Sequence, residues 1–362
     1  MKQTRIHVEW SKPPLRQFRT GVSLHGHTLY SHETLAFMYR WRGPAVVLRR
    51  LLEGRGAALD LRRAWWTPPC APYHAWRLEK NQIEQRLQLN ALVSLTDHDS
   101  IEAPLALRAL TSCRNVPVSF EWTVPYGPTF FHLGVHNLPA GRARRVFAEL
   151  ERVTTGCRHS DLMAILRSLT ERRETLVVFN HPCWDEQEIG AERHSALSAD
   201  FIRTYGESIH ALEVNGLRPW AENCAALQMA SAFGKPVISG GDRHSLQPNA
   251  MVDLTNASTF EEYVDQVRSG SSDVLVLNPY RAPFRMRILE NLQDVLQEHE
   301  EHARGWRLWS DRVFYRCDDG LVRSLTELYD QQAPSAIRVV VNGIALIGGT
   351  YRFMLRKTAF AC

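Results

Sequence analysis

Val22-Ser23-Leu24-His25-Gly26-His27-Thr28 is the stretch on which the reading of this 362-residue chain turns. A short apolar run ends in two histidines two positions apart. Side chains on an extended segment repeat with period two, so both imidazoles are expected on one side at the strand's end. Nitrogen ligands held together in this way suit a divalent metal. Downstream, in order, come Thr96-Asp97-His98-Asp99, Glu121, His132, Asn180-His181-Pro182 and Gly240-Gly241-Asp242-Arg243-His244. Most of these also follow β-rich runs, which predicts a metal site assembled from several strand ends.

The chain between these motifs alternates short β-rich runs with amphipathic helical stretches. Strands are predicted over residues 22–24, 91–95, 116–120 (ending at Glu121), 130–135 (containing His132), 175–179, 209–214 and 236–239. Helices are predicted over 81–89, 103–112, 147–154, 160–172 and 223–233, the last closed by Gly234 as C-cap. Strand, functional loop and helix, repeated six or seven times, describe a parallel α/β barrel with its chemistry at the C-terminal ends of the strands. Past Pro283 the sequence becomes charged and helix-forming over 287–304. The expected organisation is a barrel over 1–282, carrying an insertion at 36–90, and a C-terminal extension over 283–362.

A hydrophobic content of 44% and a charged content of 23% exclude the disordered and collagen-like classes. The N-terminal residues have no apolar signal-peptide core, and nothing reaches the ~18 consecutive apolar residues of a membrane span. Seven scattered cysteines without a C-x-x-C pair argue against a disulfide framework, so a cytoplasmic location is expected. Net charge is only +4, but 36–90 holds ten Lys or Arg against four Asp or Glu, together with Trp41, Trp65, Trp66 and Trp76. Such a segment can offer positive charge and aromatic surface to an anionic substrate, nucleic acid included. For most of its arginines the plainer reading is the solvated face of a helix over 46–63.

These motifs resemble the polymerase and histidinol phosphatase (PHP) family of metal-dependent phosphoesterases, over roughly residues 21–282 apart from the 36–90 segment. His25 to Ser31 match the family's H-x-H-T-x-x-S opening, and Thr96 to Asp99 match its T-D-H-D. Glu121 and His132 match a glutamate with a histidine eleven positions on, His181 a later strand-end histidine, and Asp242 with His244 its D-x-H. The resemblance implies a distorted seven-stranded (β/α) barrel holding two or three divalent metals (zinc, manganese or iron). It implies His25, His27, His98, Glu121, His132, His181, Asp242 and His244 as ligands, with Glu121 bridging. Where the family often has an Asp for a third metal this chain has His32, a ninth candidate, followed by Glu33. The gap between the first two motifs is longer than usual, and the long nucleotide-recognising insertion of some members is absent.

The implied reaction is hydrolysis of a phosphate ester, on a phosphorylated metabolite, a nucleotide or an oligonucleotide end. Its nucleophile would be a metal-bound hydroxide, because metal binding lowers the pKa of water by several units. Asp97 and Asp99 flank His98 and are candidates to orient an imidazole or carry a proton. Arg243, between two ligands, and Arg218, just past Asn215-Gly216, are candidates to grip a phosphate oxygen. Two other readings remain open: a metal-dependent hydrolase of a non-phosphate bond, and a non-catalytic metal-binding module.

Overall fold

Thr20–Leu24, the run that leads into His25, is a strand with all five residues buried. It is β2 in a five-stranded sheet ordered β1 (Ile6–Val8), β12 (Asp273–Val276), β11 (Met251–Thr255), β2, β5 (Asn90–Ser94). A second sheet is ordered β10 (Val237–Gly240), β9 (Ala211–Asn215), β8 (Leu176–Phe179), β7 (Thr129–Leu138), β6 (Val118–Tyr126). The description rests on a computed structural model and covers residues 4–11, 15–36, 60–156, 158–298 and 305–329. Among these residues no helix is long and apolar enough to cross a membrane.

The chain divides into two compact units. The first comprises Met1–His27, Pro72–Arg243 and Gln247–Phe284, and holds both five-stranded sheets. Its strands read as continuous apolar runs, as expected where both faces of a sheet are covered; every residue of β8 is buried. Helix Ala143–Gly156 buries Ala143, Val146 and Leu150, and helix His159–Thr170 buries Leu162, Ile165, Leu166 and Leu169. That three-and-four spacing is the apolar stripe of a helix lying on a sheet. Helix Phe260–Arg268 does the same with Phe260, Tyr263, Val264 and Val267, capped by the Thr259 hydroxyl, which accepts from Glu262 N.

The sheets are mixed rather than parallel. β2 pairs with β5, and β8 with β9 and β9 with β10, in parallel, but β7 runs antiparallel to both β6 and β8. Only Gly127 and Pro128 separate β6 from β7, far too few for the crossover that a parallel pair needs, so the two strands must form a hairpin. β6 also runs five residues beyond Glu121, which therefore lies within a strand and not at its end. Two isolated parallel bridges, Gly26 with Arg243 and His98 with Glu121, join the margins of the two sheets.

The second unit comprises Thr28–Ala71, His244–Leu246 and Arg285–Cys362. Its antiparallel sheet is ordered β14 (Val322–Ser324), β13 (Val313–Arg316), β4 (Ala64–Trp66), β3 (Glu33–Thr34). Trp65 pairs with Phe314 and Trp66 with Val313, over a small core of Leu61, Ala64 and Leu325. The stretch 36–90 is thus shared: 60–71 belong to this unit, while 72–90 supply helix Pro72–Asn81, the π-helical Gln82–Arg86 and the start of β5 to the first. The helix expected over 46–63 falls largely outside the described residues; Leu61–Arg63 form a 3-10 turn capped by Asp60. Of the helix expected over 287–304, Phe284–Leu296 is helical and 299–304 lie outside the described residues.

Candidate metal centre

Glu121, fully buried on β6, gathers imidazoles on both carboxylate oxygens. Oε2 lies 3.0 Å from His25 Nε2, 3.4 Å from His27 Nε2 and 3.3 Å from His98 Nδ1. Oε1 lies 3.2 Å from His181 Nε2 and 3.5 Å from His132 Nδ1, and accepts from Asn180 Nδ2 at 2.9 Å. Asp242 Oδ1 approaches His25 Nε2 at 3.6 Å and His27 Nε2 at 3.5 Å. Three groups in this unit have ligand atoms all within 4.8 Å of one another: His25 with His27 and Glu121, His25 with His181 and Asp242, and His98 with Glu121 and His132. Neutral imidazole with carboxylate is the donor set of zinc, manganese or iron, and the residues fit such ions.

The carboxylates and imidazoles of this cluster set one another's charge against burial. Burial pushes the Glu121 carboxyl up, yet the imidazoles of His25, His98 and His132 and the contact with His181 hold it well below the usual carboxylate range. Burial pulls His25 down, but Glu121 and Glu213 raise it well above an ordinary imidazole. His132, desolvated and beside His98 and His181, is pushed well below. A buried carboxylate ringed by nitrogen bases is kept ionised by positive charge.

The backbone that delivers these groups is unusual. His25, His181 and Asp242 have φ of 60°, 26° and 55°, left-handed values that residues other than glycine seldom adopt. Each lies just past a strand: β2 ends at Leu24, β8 at Phe179 and β10 at Gly240. His25 and His27 do come together, their ring centroids 5.2 Å apart, but through this turn rather than through strand pleating. The turn is locked to the last loop: Asp242 N donates to His25 O at 2.7 Å and His27 N to Arg243 O at 2.9 Å. Strained conformations of this kind collect at functional sites, where surrounding bonds over-determine them.

Thr96 to Asp99 dock on β6 in the same way. Glu121 N donates to Asp97 O and Asp99 N to Glu121 O, pinning His98 beside Glu121. Asp97 is buried, whereas Asp99 is exposed and its Oδ1 accepts from Thr123 N at 2.9 Å. Arg243 is buried with Asp242. Arg218 is also buried, its guanidinium 3.8 Å above the Trp184 ring, and Trp184 meets the ligand candidate His181 edge-on at 5.1 Å. His244 and His32 belong to the second unit. There His244 Nε2 lies 3.1 Å from Glu33 Oε1, while the exposed His32 ring lies against Trp65 at 5.6 Å. The carboxylate of Glu33 is thus a side chain next to His244.

Two buried carboxylates of the first unit escaped the sequence reading. Glu213 on β9 takes the Nδ1 side of His25 at 2.6 Å. Glu79, on helix Pro72–Asn81, accepts from Ser23 Oγ and Asn249 N, both at 2.8 Å, and burial pushes it up to about 7. The signal for Glu213 was a lone acid inside the apolar run Ala211-Leu212-Glu213-Val214, where an unpartnered charge would be costly.

No protein-family profile matches the chain, and no curated protein sequence does. Solved structures that it resembles include PHP-like metal-dependent phosphoesterases, at low identity. PsfC from Pseudomonas syringae is 13% identical, with a TM-score of 0.45 over 75% of this chain and 97% of that one. A two-domain protein from Bacteroides vulgatus, described as containing a predicted PHP-like metal-dependent phosphoesterase, is 13% identical, with a TM-score of 0.40 over 76% and 68%. An amidohydrolase from Chromobacterium violaceum is 16% identical, with a TM-score of 0.33 over 62% and 87%.

Proposed function

We propose that this protein is a metal-dependent phosphoesterase that hydrolyses a phosphate ester on a phosphorylated small molecule or nucleotide. The observation that carries the reading is Glu121, a fully buried carboxylate with five imidazoles within 3.5 Å of its two oxygens. In this reading His25, His27, His98, Glu121, His132, His181 and Asp242 hold two or three divalent ions. The seven strands β2 and β5 to β10, linked by the Gly26–Arg243 and His98–Glu121 bridges, are then the distorted barrel that the resemblance implies.

Bound divalent ions would supply Lewis acidity, making water nucleophilic near neutral pH and neutralising phosphate oxygens. The chain's own residues do the rest. Glu121 and Asp242 are the only formal anions in the ligand set, and two or three divalent ions outweigh them. The pocket then carries excess positive charge and selects an anionic group. Arg243 and Arg218 reinforce that charge, and the face of Trp184 holds the Arg218 guanidinium in a fixed plane. Asp99, exposed beside His98, is suited to pass a proton to solvent.

The test is elemental analysis of the purified protein, then hydrolysis of phosphomonoesters, phosphodiesters and amides with added manganese. Bound metal with phosphoester turnover supports the reading. Bound metal with amide turnover alone moves the protein to the hydrolases of other bonds, and bound metal with no turnover leaves a binding module.

A further inference from the structure

Glu213 lies outside the proposed ligand set, yet it touches two members of it. Its side chain is 1% exposed on β9. Oε1 is 2.6 Å from His25 Nδ1, while Oε2 accepts from His181 N at 2.8 Å and from Asn215 Nδ2 at 3.1 Å. A carboxylate oxygen at Nδ1 is an acceptor for the hydrogen on that nitrogen, so Nε2, on the side of Glu121 and Asp242, is the nitrogen left to bind a metal. The same carboxylate ties down the backbone of His181, which, like His25, is in the left-handed region.

The neighbouring strand is shaped around this group. A Cβ on Gly240, the last residue of β10, would lie 1.4 Å from Glu213 Oε1 and 2.3 Å from its Cδ. No side chain fits there unless the carboxylate leaves. The glycine just before Gly241-Asp242 is therefore a requirement of Glu213, not of the turn: it is absent from the positive-φ glycines.

We propose that Glu213 is a positioning residue for metal binding, setting the tautomer of His25 and the backbone of His181, with Gly240 as the space that permits it. This rests on the metal-centre reading above. Partners behind a ligating histidine typically change metal affinity about 10–100-fold.

Glu213→Gln gives a sharp test because it keeps the shape. The donors His181 N and Asn215 Nδ2 call for the amide oxygen at the Oε2 position. The amide NH2 then faces His25 Nδ1 and forces the proton onto Nε2, the wrong nitrogen for a ligand. Gly240→Ala removes the carboxylate from its place without altering Glu213 itself. We expect Glu213→Gln to melt near wild type in the metal-free state and Gly240→Ala to melt lower, since it crowds a buried group. Both should bind zinc about 10–100-fold more weakly in chelator competition, with altered cobalt absorption spectra. Wild-type affinity and spectra in both would overturn the proposal. So would metal-free melting of Glu213→Gln far below wild type, which would make Glu213 a packing residue only. A wild-type protein that binds no zinc or cobalt would instead overturn the metal-centre reading, and the proposal with it.

Discussion

Glu121 and Asp253 are both carboxylates with no exposed surface, both on strands of the first unit, and they behave in opposite ways. Around Glu121 stand five imidazoles and an amide, and the group is held ionised well below the usual range. The donors to Asp253 are neutral, Ser239 N at 2.8 Å and the Tyr263 hydroxyl at 2.5 Å, and the Glu213 carboxylate raises it further. Burial wins there, and the carboxyl is pushed up to about 7. Burial is common to both, so company decides. Neutral donors make a buried acid a structural pin, while a ring of nitrogen bases makes it a place for cations.

Breaking that contrast at Glu121 has the largest expected effect. Glu121→Ala should leave a folded protein while metal-dependent turnover falls to background, because both oxygens that face the imidazoles are gone. Asp253→Asn should leave metal content unchanged. Metal analysis and turnover of the two variants check this, and retained activity in Glu121→Ala would reject its central role.

A smaller effect is expected one layer behind Glu121. A Cβ on Gly134 would lie 2.8 Å from Asn180 Oδ1 and 2.8 Å from His136 Nε2. Asn180 donates to Glu121 Oε1, and His136 bonds to Ser94 Oγ at 2.9 Å. Overpacking of this kind costs about 1–3 kcal/mol. Gly134→Ala should therefore lower the melting temperature and weaken, without abolishing, metal binding. A melting scan with and without zinc measures both, and unchanged stability would mean that the Asn180 amide moves aside freely.

The motif residues around Glu121 were legible in the sequence because several polar side chains at the ends of apolar runs recur in one order that resembles a known family, although any one of them alone is weak. His25, His27, His98, His132 and His181 stand around Glu121, and Asp242 approaches His25 and His27. The means of assembly were not legible. Nothing in a His or Asp codon announces a left-handed backbone, so the turns at His25, His181 and Asp242 were read as plain strand ends. Repeated strand–helix alternation suggested parallel strands throughout, although the two-residue Gly127-Pro128 link already required a hairpin. The sheet of the second unit was hidden for another reason: β4 pairs with β13, and a pairing so distant in sequence leaves no local period. Glu213 was visible as an acid in an apolar run, but its partner, His25, lies just past a strand far away in sequence.

The subtlest effect concerns how the two carboxylates bend stability with pH. Asp253 ionises near 3.8 when unfolded and at about 7 when folded. A raised folded pKa means that its stabilising contribution is fully present below the unfolded value and is lost as pH rises through the folded one. Between those values the unfolded chain ionises first, and the slope reaches at most about 1.4 kcal/mol per pH unit. Glu79, pushed from 4.5 up to about 7, acts with the same sign. Glu121 acts with the opposite sign: its folded pKa is depressed, so its contribution is present above the unfolded value and lost as pH falls. In Asp253→Asn the amide can keep both contacts, with Tyr263 turned from donor to acceptor. Its melting temperature in chelator-treated protein should match wild type near pH 4, exceed it increasingly toward pH 7, and run parallel above that. A difference that stays flat across this range would mean that Asp253 is already ionised in the fold, and the contrast with Glu121 would then rest on geometry alone.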